Sequence, residues 1–250
     1  MSHNNIGSMV WFRESGGNLT VKSRLALLSK VLLPSMTGFF KTNIHYGKNR
    51  TISLDEIPFP DSTAVKTALD EIESCASPSV LEHSFRTYFW GAGLGQVESL
   101  KFDSEFLLVS CLLHDVGMTQ KHRNHECSCF AAESALLAAE VMKRAEWGKD
   151  KLESLSEAIC LHMNGHVDLS QGAEAHLLQQ AAAYDIIGSR YYDLHKDYRE
   201  MVLHKHPRKG INKDFAEFIA NEKKKHPNSR AALMHNVGLS LMIKLNPYSE

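Results

Sequence analysis

Five side chains stand inside apolar runs where a helix core would hold only hydrocarbon. They are His83 in "VLEHSFRTYFWG", His114 and Asp115 in "SCLLHDVGM", His162 in "AICLHMNG" and Asp185 in "QQAAAYDIIGSR". A buried imidazole or carboxylate needs a partner, because an isolated charge in a core costs several kcal/mol or gives up its ionisation. One such intrusion is by default a satisfied core residue. Several of them, all His or Asp and on consecutive segments, imply that they satisfy one another. Two or three imidazole nitrogens with two carboxylates make a borderline-hard donor set, suited to zinc, iron, manganese, or magnesium with water. Helical bundles assemble such sites from inward side chains on facing helices.

The elements that must position these residues are helical. Asp61 or Ser62 reads as an N-cap, and "TAVKTALDEIESCA" (63–76) carries apolar positions at helical spacing. Further helices are expected over 79–97, 103–117, 129–147, 151–166, 173–194, 213–226 and 230–245, with Gly117 as the stop after His114–Asp115. Two-residue alternation bounded by turns is absent, so the expected fold is all-α. Residues 1–60 form an N-terminal extension and residues 61–245 the domain that carries the five residues. Within the extension, residues 1–19 are polar and rich in Gly, Asn and Ser, and are expected to be loose. Residues 20–60 read as an irregular arm, and "DEIPFPDS" (55–62) reads as a linker.

Composition limits the function classes. The formal net charge of −1 supplies no global basic field to recruit nucleic acid. The most apolar stretch, "LALLSKVLLPSMTGFF" (25–40), contains Lys30 and Pro34 and falls short of the roughly 20 apolar residues of a spanning helix. Docking on the domain is its simplest role, with oligomerisation or a membrane surface as alternatives, so a homo-oligomer stays open. The five cysteines are odd in number, follow no secretory signal and form no metal or redox pair, since "CSC" (127–129) has the wrong spacing. Packed thiols in a reduced, cytoplasmic setting are therefore expected. The histidines of "LHKHPRK" (203–209) read as solvated, and "TYFWG" (87–91) as core.

His83, then His114–Asp115 thirty-one residues on (114 − 83), then Asp185 seventy further (185 − 115), resembles the HD-domain superfamily of metal-dependent hydrolases. The flanks "LEHSFRTYFWG", "CLLHDVGMT", "EAICLHMNG" and "AYDIIGSRYYDL", with the tail "HKHPRKGINKDFAEFI" and "KHPNSRAALMHN", are similar to its cyanamide hydratase branch over about 61–240. The resemblance implies an HD-domain helical bundle with His83, His114, Asp115 and Asp185 as metal ligands. His162 would sit beside the metal to move a proton, hold substrate or bind a second ion. His125, in the loop "KHRNHEC", would border the pocket. Arg86, three residues after His83 and on the same helix face, either lines the pocket or serves as a structural ion-pair partner. No GYP-type continuation follows His162, no acidic pair follows His114–Asp115, and the chain is short for a deoxynucleotide triphosphohydrolase, which sets those branches aside.

The expected chemistry is water activated by a divalent ion, zinc first and iron, manganese or magnesium as alternatives, acting on a small-molecule substrate. Asp115 would be both ligand and proton relay, with His162 as its catalytic neighbour. Hydration of a nitrile of the cyanamide type is one reading. A phosphohydrolase or phosphodiesterase acting on a nucleotide or phosphoester is a second, and a non-catalytic regulatory module that keeps a metal for structure is a third.

Overall fold

The computed structural model describes residues 6–29, 52–123 and 127–248. Their regular structure is entirely helical, with no β-strand among them. Twelve α-helices are present among them. They are α1 (Met9–Ser15), α2 (21–29), α3 (Thr63–Cys75), α4 (Pro78–Val97), α5 (Ser104–Leu113), α6 (Phe130–Arg144), α7 (Lys149–Leu161), α8 (Ala173–Ile187), α9 (Lys196–Lys205), α10 (Ile211–Lys225), α11 (Arg230–Asn236) and α12 (Leu239–Lys244).

Helix α4 is the axis of the bundle. Ser77 caps its N-terminus by accepting from the Val80 amide, and Pro78 fills the first helical position, where no amide hydrogen is needed. Its body is buried on all sides: Tyr88, Trp90, Ala92 and Leu94 are fully enclosed. That is the pattern of a helix packed by neighbours all round rather than lying on a surface. Helices α5 and α8 pack along it, and α6 pairs with α7 across from them. Helix α5 starts at Asp103, whose carboxylate accepts from the amides of Glu105 and Phe106, and its residues Phe106–Leu113 are all buried.

Helices α7 and α8 end at Leu161 and Ile187, short of the 166 and 194 expected, and three further differences from the sequence reading have local reasons. Helix α5 stops at Leu113, before the His114–Asp115 pair, and a turn of 3-10 helix follows at Val116–Met118. Gly117 is required there by a close approach: a Cβ would come within 2.6 Å of the Phe130 carbonyl oxygen at the start of α6. The helix expected over 230–245 is broken at Gly238, whose φ of 99° no L side chain adopts readily. Helix α9 was not expected at all. Its sequence is polar, and it is held by Tyr198 and Val202, four residues apart and buried, with the Tyr198 hydroxyl donating to the Phe89 carbonyl of α4.

The start of the chain also differs from expectation. From Ile6 onward it is packed, not loose. Ser8 caps α1, the Met9 amide donates to Glu157 of α7 at 2.8 Å, and Asn164 donates to the Ile6 carbonyl at 2.9 Å. Ile6, Trp11, Leu19, Leu27 and Leu233 form a small second core. Scattered apolar residues in a polar stretch were enough to bury it. Most of the apolar stretch 25–40 (residues 30–40) lies outside the described residues. No described helix is long and apolar enough to cross a membrane, and all five cysteines are free thiols.

The segment that follows His114–Asp115 is braced by Glu71 of α3. Its carboxylate accepts from Lys121 Nζ at 2.9 Å and His122 Nε2 at 2.8 Å, and pairs with Arg144 of α6. Burial pushes the Glu71 carboxyl up, but the hydrogen bonds from Lys121, Arg144 and His122 outweigh it and hold it at about 2. A carboxyl lowered by folding adds stability above its ordinary value of 4.5 and loses it as pH falls toward about 2. Lys121 and Arg144 are half-exposed, so solvent screens the pairs. Glu71→Gln is expected to cost about 1 kcal/mol at pH 7. In denaturant titrations its difference from the unaltered protein should close between pH 4.5 and about 2.

Candidate metal centre

His83 comes from the second turn of α4, His114 and Asp115 from the end of α5, and His162 from the end of α7. All four meet in the core, with exposures of 1% for His83, 0% for His114, 2% for Asp115 and 7% for His162. His83 Nε2 lies 3.2 Å from His114 Nε2 and 3.5 Å from Asp115 Oδ2, and His114 Nε2 lies 3.2 Å from that same oxygen. His162 Nε2 faces the other oxygen, Asp115 Oδ1, at 3.5 Å.

The other ring nitrogens decide what these contacts mean. His83 Nδ1 is 2.7 Å from Asp185 Oδ2, His114 Nδ1 is 2.7 Å from the Cys111 carbonyl oxygen, and His162 Nδ1 is 2.6 Å from the Ile159 carbonyl oxygen. Each of those oxygens can only accept, so each Nδ1 carries the hydrogen and each Nε2 presents a lone pair. The centre therefore turns three imidazole lone pairs and a carboxylate toward one another. Asp115 Oδ1 is buried with no hydrogen-bond partner. Lone pairs facing lone pairs in a core repel, and only a proton or a cation between them removes the conflict.

A divalent ion fits this set. Zinc bonds of about 2.0–2.2 Å place tetrahedral ligand atoms roughly 3.3–3.6 Å apart, against the observed 3.2, 3.2 and 3.5 Å. His83, His114 and Asp115 form one of two groups of His, Cys, Asp and Glu donors among the described residues close enough to share an ion. The other, Glu71, Cys75 and His122, already has its carboxylate bound to Lys121 and Arg144.

The charges agree with this picture. Burial lowers His83 against the pull of Asp185, and lowers His162 to about 3, helped by charge on His114. Burial opposes a proton on His114 too, but the Asp115 carboxylate outweighs it and raises that group. Burial would raise Asp115, yet the three surrounding imidazoles, His114 foremost, bring it below the ordinary carboxylate range.

The remaining expected residues stand elsewhere. Asp185, expected among the ligands, lies behind His83. It touches Nδ1, on the side of the ring away from His114 and Asp115. Arg86, a candidate substrate contact, has no nitrogen to offer: Nε and Nη2 bond Asp185 at 2.8 and 2.9 Å, and Nη1 bonds the Pro207 carbonyl at 2.7 Å. It takes the ion-pair role of its two sequence readings. His125 lies outside the described residues. Two residues that the sequence reading passed over complete the surroundings. Trp90 donates to Asp185 Oδ1 at 2.9 Å, and Arg208 pairs with the same oxygen at 3.0 Å. Arg208 sits in the basic stretch whose histidines read as solvated.

The model of the HD domain family matches residues 80–240, which spans the three helices that bring these donors together. The chain belongs to the HD-domain family. HD domains bind divalent metals, and the His83, His114 and Asp115 group can hold one. This HD-domain protein is also 26% identical over 178 residues to cyanamide hydratase DDI2 of Saccharomyces cerevisiae, and equally to cyanamide hydratase DDI3 of the same yeast. Each alignment covers 68% of this chain and 77% of the yeast protein.

Asp115→Ala should lower the affinity for Zn2+ by more than the roughly 100-fold that marks loss of an outer-shell partner. Helical circular dichroism should change little. His162→Ala should keep one ion per chain. Chelator competition and elemental analysis of the two variants check both outcomes.

Proposed function

We propose that this chain is a metal-dependent HD-domain hydratase that adds water to a small nitrile of the cyanamide class. The observation that carries the reading is the donor set itself. Two imidazoles and one carboxylate converge, and the remaining side is bordered by His162 and the unpartnered Asp115 oxygen. Structural zinc sites are closed by four protein ligands, whereas catalytic ones use three and leave a place for water. That count favours chemistry over the regulatory alternative.

His83, His114 and Asp115 would hold a divalent ion, which would supply Lewis acidity and acidify water near neutral pH. Asp115 Oδ1 is placed to take the proton that water gives up as its oxygen bonds to the nitrile carbon. His162 is neutral, with Nδ1 fixed on the Ile159 carbonyl and Nε2 3.5 Å from Asp115 Oδ1. It can receive that proton and return it to the substrate nitrogen. One water is consumed, and both of its hydrogens end on the product.

Size and charge favour a small neutral substrate over a phosphoester. The ligands are enclosed, and the Phe130 ring stands 6.0 Å from that of His162. Arg86 and Arg208, guanidiniums of the kind a phosphoryl group would use to offset its charge, are both engaged with Asp185, and Arg230 is engaged with Asn164 and Cys129. The similarity to the yeast cyanamide hydratases points the same way.

Purified protein should convert cyanamide to urea, lose that activity to a chelator and recover it with Zn2+. His162→Ala should reduce kcat by about 10²–10⁴-fold with the metal retained, the usual range for removing a positioned proton carrier. Turnover of bis-p-nitrophenyl phosphate without turnover of cyanamide would replace this reading with the phosphohydrolase one.

A further inference from the structure

Asp185 is fully buried and its carboxylate is crowded with donors. Oδ1 accepts from Trp90 Nε1 at 2.9 Å and Arg86 Nε at 2.8 Å, and pairs with Arg208 Nη1 at 3.0 Å. Oδ2 accepts from Arg86 Nη2 at 2.9 Å and from His83 Nδ1 at 2.7 Å. Four hydrogen bonds and the Arg208 ion pair thus share two oxygens, which offer about four lone-pair sites between them. No acceptor capacity is left for a cation. The direction is also wrong: the bond goes to Nδ1 of His83, while Nε2 of the same ring faces His114 and Asp115.

The backbone at this point is anchored as well. The Asp185 carbonyl accepts from Arg208 and from Asn246 Nδ2 at 2.8 Å. Arg208 lies between α9 and α10, and Asn246 follows α12. Asp185 is therefore held from α4, from the connection between α9 and α10 and from the segment after α12, and only one of its contacts, His83, belongs to the donor set.

We propose that Asp185 is a positioning residue of the metal centre and not one of its ligands. It accepts the Nδ1 hydrogen of His83, fixes the tautomer that leaves Nε2 as a lone pair, and orients the ring toward His114 and Asp115. The Arg86 fork, Arg208 and Trp90 hold the carboxylate in the one orientation that does this. The proposal rests on the metal-centre reading above and concerns affinity and ligand identity, not the reaction catalysed. Outer-shell acceptors of this kind raise the basicity of a ligating imidazole, and their loss weakens metal binding by about 10–100-fold.

The test measures Co2+ binding to the full-length protein and to Asp185→Asn by chelator competition, with the visible spectrum of each saturated form. The expected result is one ion per chain in both, affinity lower by about 10–100-fold in the variant, and an unchanged spectrum, since the atoms bound to cobalt are the same. Equal affinities would reduce Asp185 to a structural ion pair and overturn the proposal. A changed spectrum at saturation would make Asp185 a ligand and overturn it too. Failure of the unaltered protein to bind Co2+ would remove the metal-centre reading and this proposal together. Loss of cyanamide turnover alone would touch only the proposed function. A second measurement needs no variant. In 15N-histidine-labelled protein loaded with 113Cd, cadmium coupling should appear on His83 Nε2 and a hydrogen-bonded proton on His83 Nδ1. A cadmium-coupled or proton-free Nδ1 would overturn the assignment even if Asp185→Asn does not fold.

Discussion

Imidazole lone pairs and a carboxylate facing one another at 3.2–3.5 Å inside a helical core are the constraint on which this molecule turns. Such a cluster is unfavourable by itself, and a chain free to relax would turn the rings apart. It persists because each histidine is held from behind by an oxygen that accepts its Nδ1 hydrogen. For His114 and His162 that oxygen belongs to the helix that carries the ring, three residues back, at Cys111 and Ile159. For His83 it belongs to a side chain 102 residues away, Asp185. Two of the three rings are thus preset by local geometry. The third depends on the whole bundle being assembled.

The distribution of charge follows from the same arrangement. Arg86 and Arg208 flank Asp185 and together hold it well below the ordinary carboxylate range despite its burial. Breaking a buried pair by removing one partner is expensive, so these guanidiniums are committed to Asp185. These two guanidiniums therefore do not face the centre, and what does face it is imidazole and one carboxylate. An interior of that kind suits a small substrate that needs polarising and protonating more than an anion that needs neutralising. The segment after His114–Asp115 is fixed separately, by Glu71 reaching across from α3 and by Gly117 letting α6 approach.

Much of this was legible in the sequence. The all-α class followed from helical spacing and the absence of alternation. The convergence of His83, His114, Asp115 and His162 followed from the improbability of so many unsatisfied polar groups in apolar runs. Other features were not legible, for physical reasons. Helix α9 forms because Tyr198 and Val202 find a surface on the bundle, which propensity does not register in so polar a stretch. Residues 6–29 are packed because Trp11, Leu19 and Leu27 find Leu233, a partner more than 200 residues away for each. Arg208 was not singled out because nothing local distinguishes a buried arginine from an exposed one.

The sequence by itself determined which chemistry was present: donor types, their placement on helices and the family pattern that orders them. Which donors bond the ion and which only support it was decided by tertiary structure alone. Asp185 is equally acidic and equally embedded in apolar residues whether it stands before His83 or behind it. The choice depends on which edge of an imidazole ring faces α8 once α4, α8 and the turn carrying Arg208 have packed. That is a matter of a few ångströms across a hundred residues, and neither spacing nor composition encodes it.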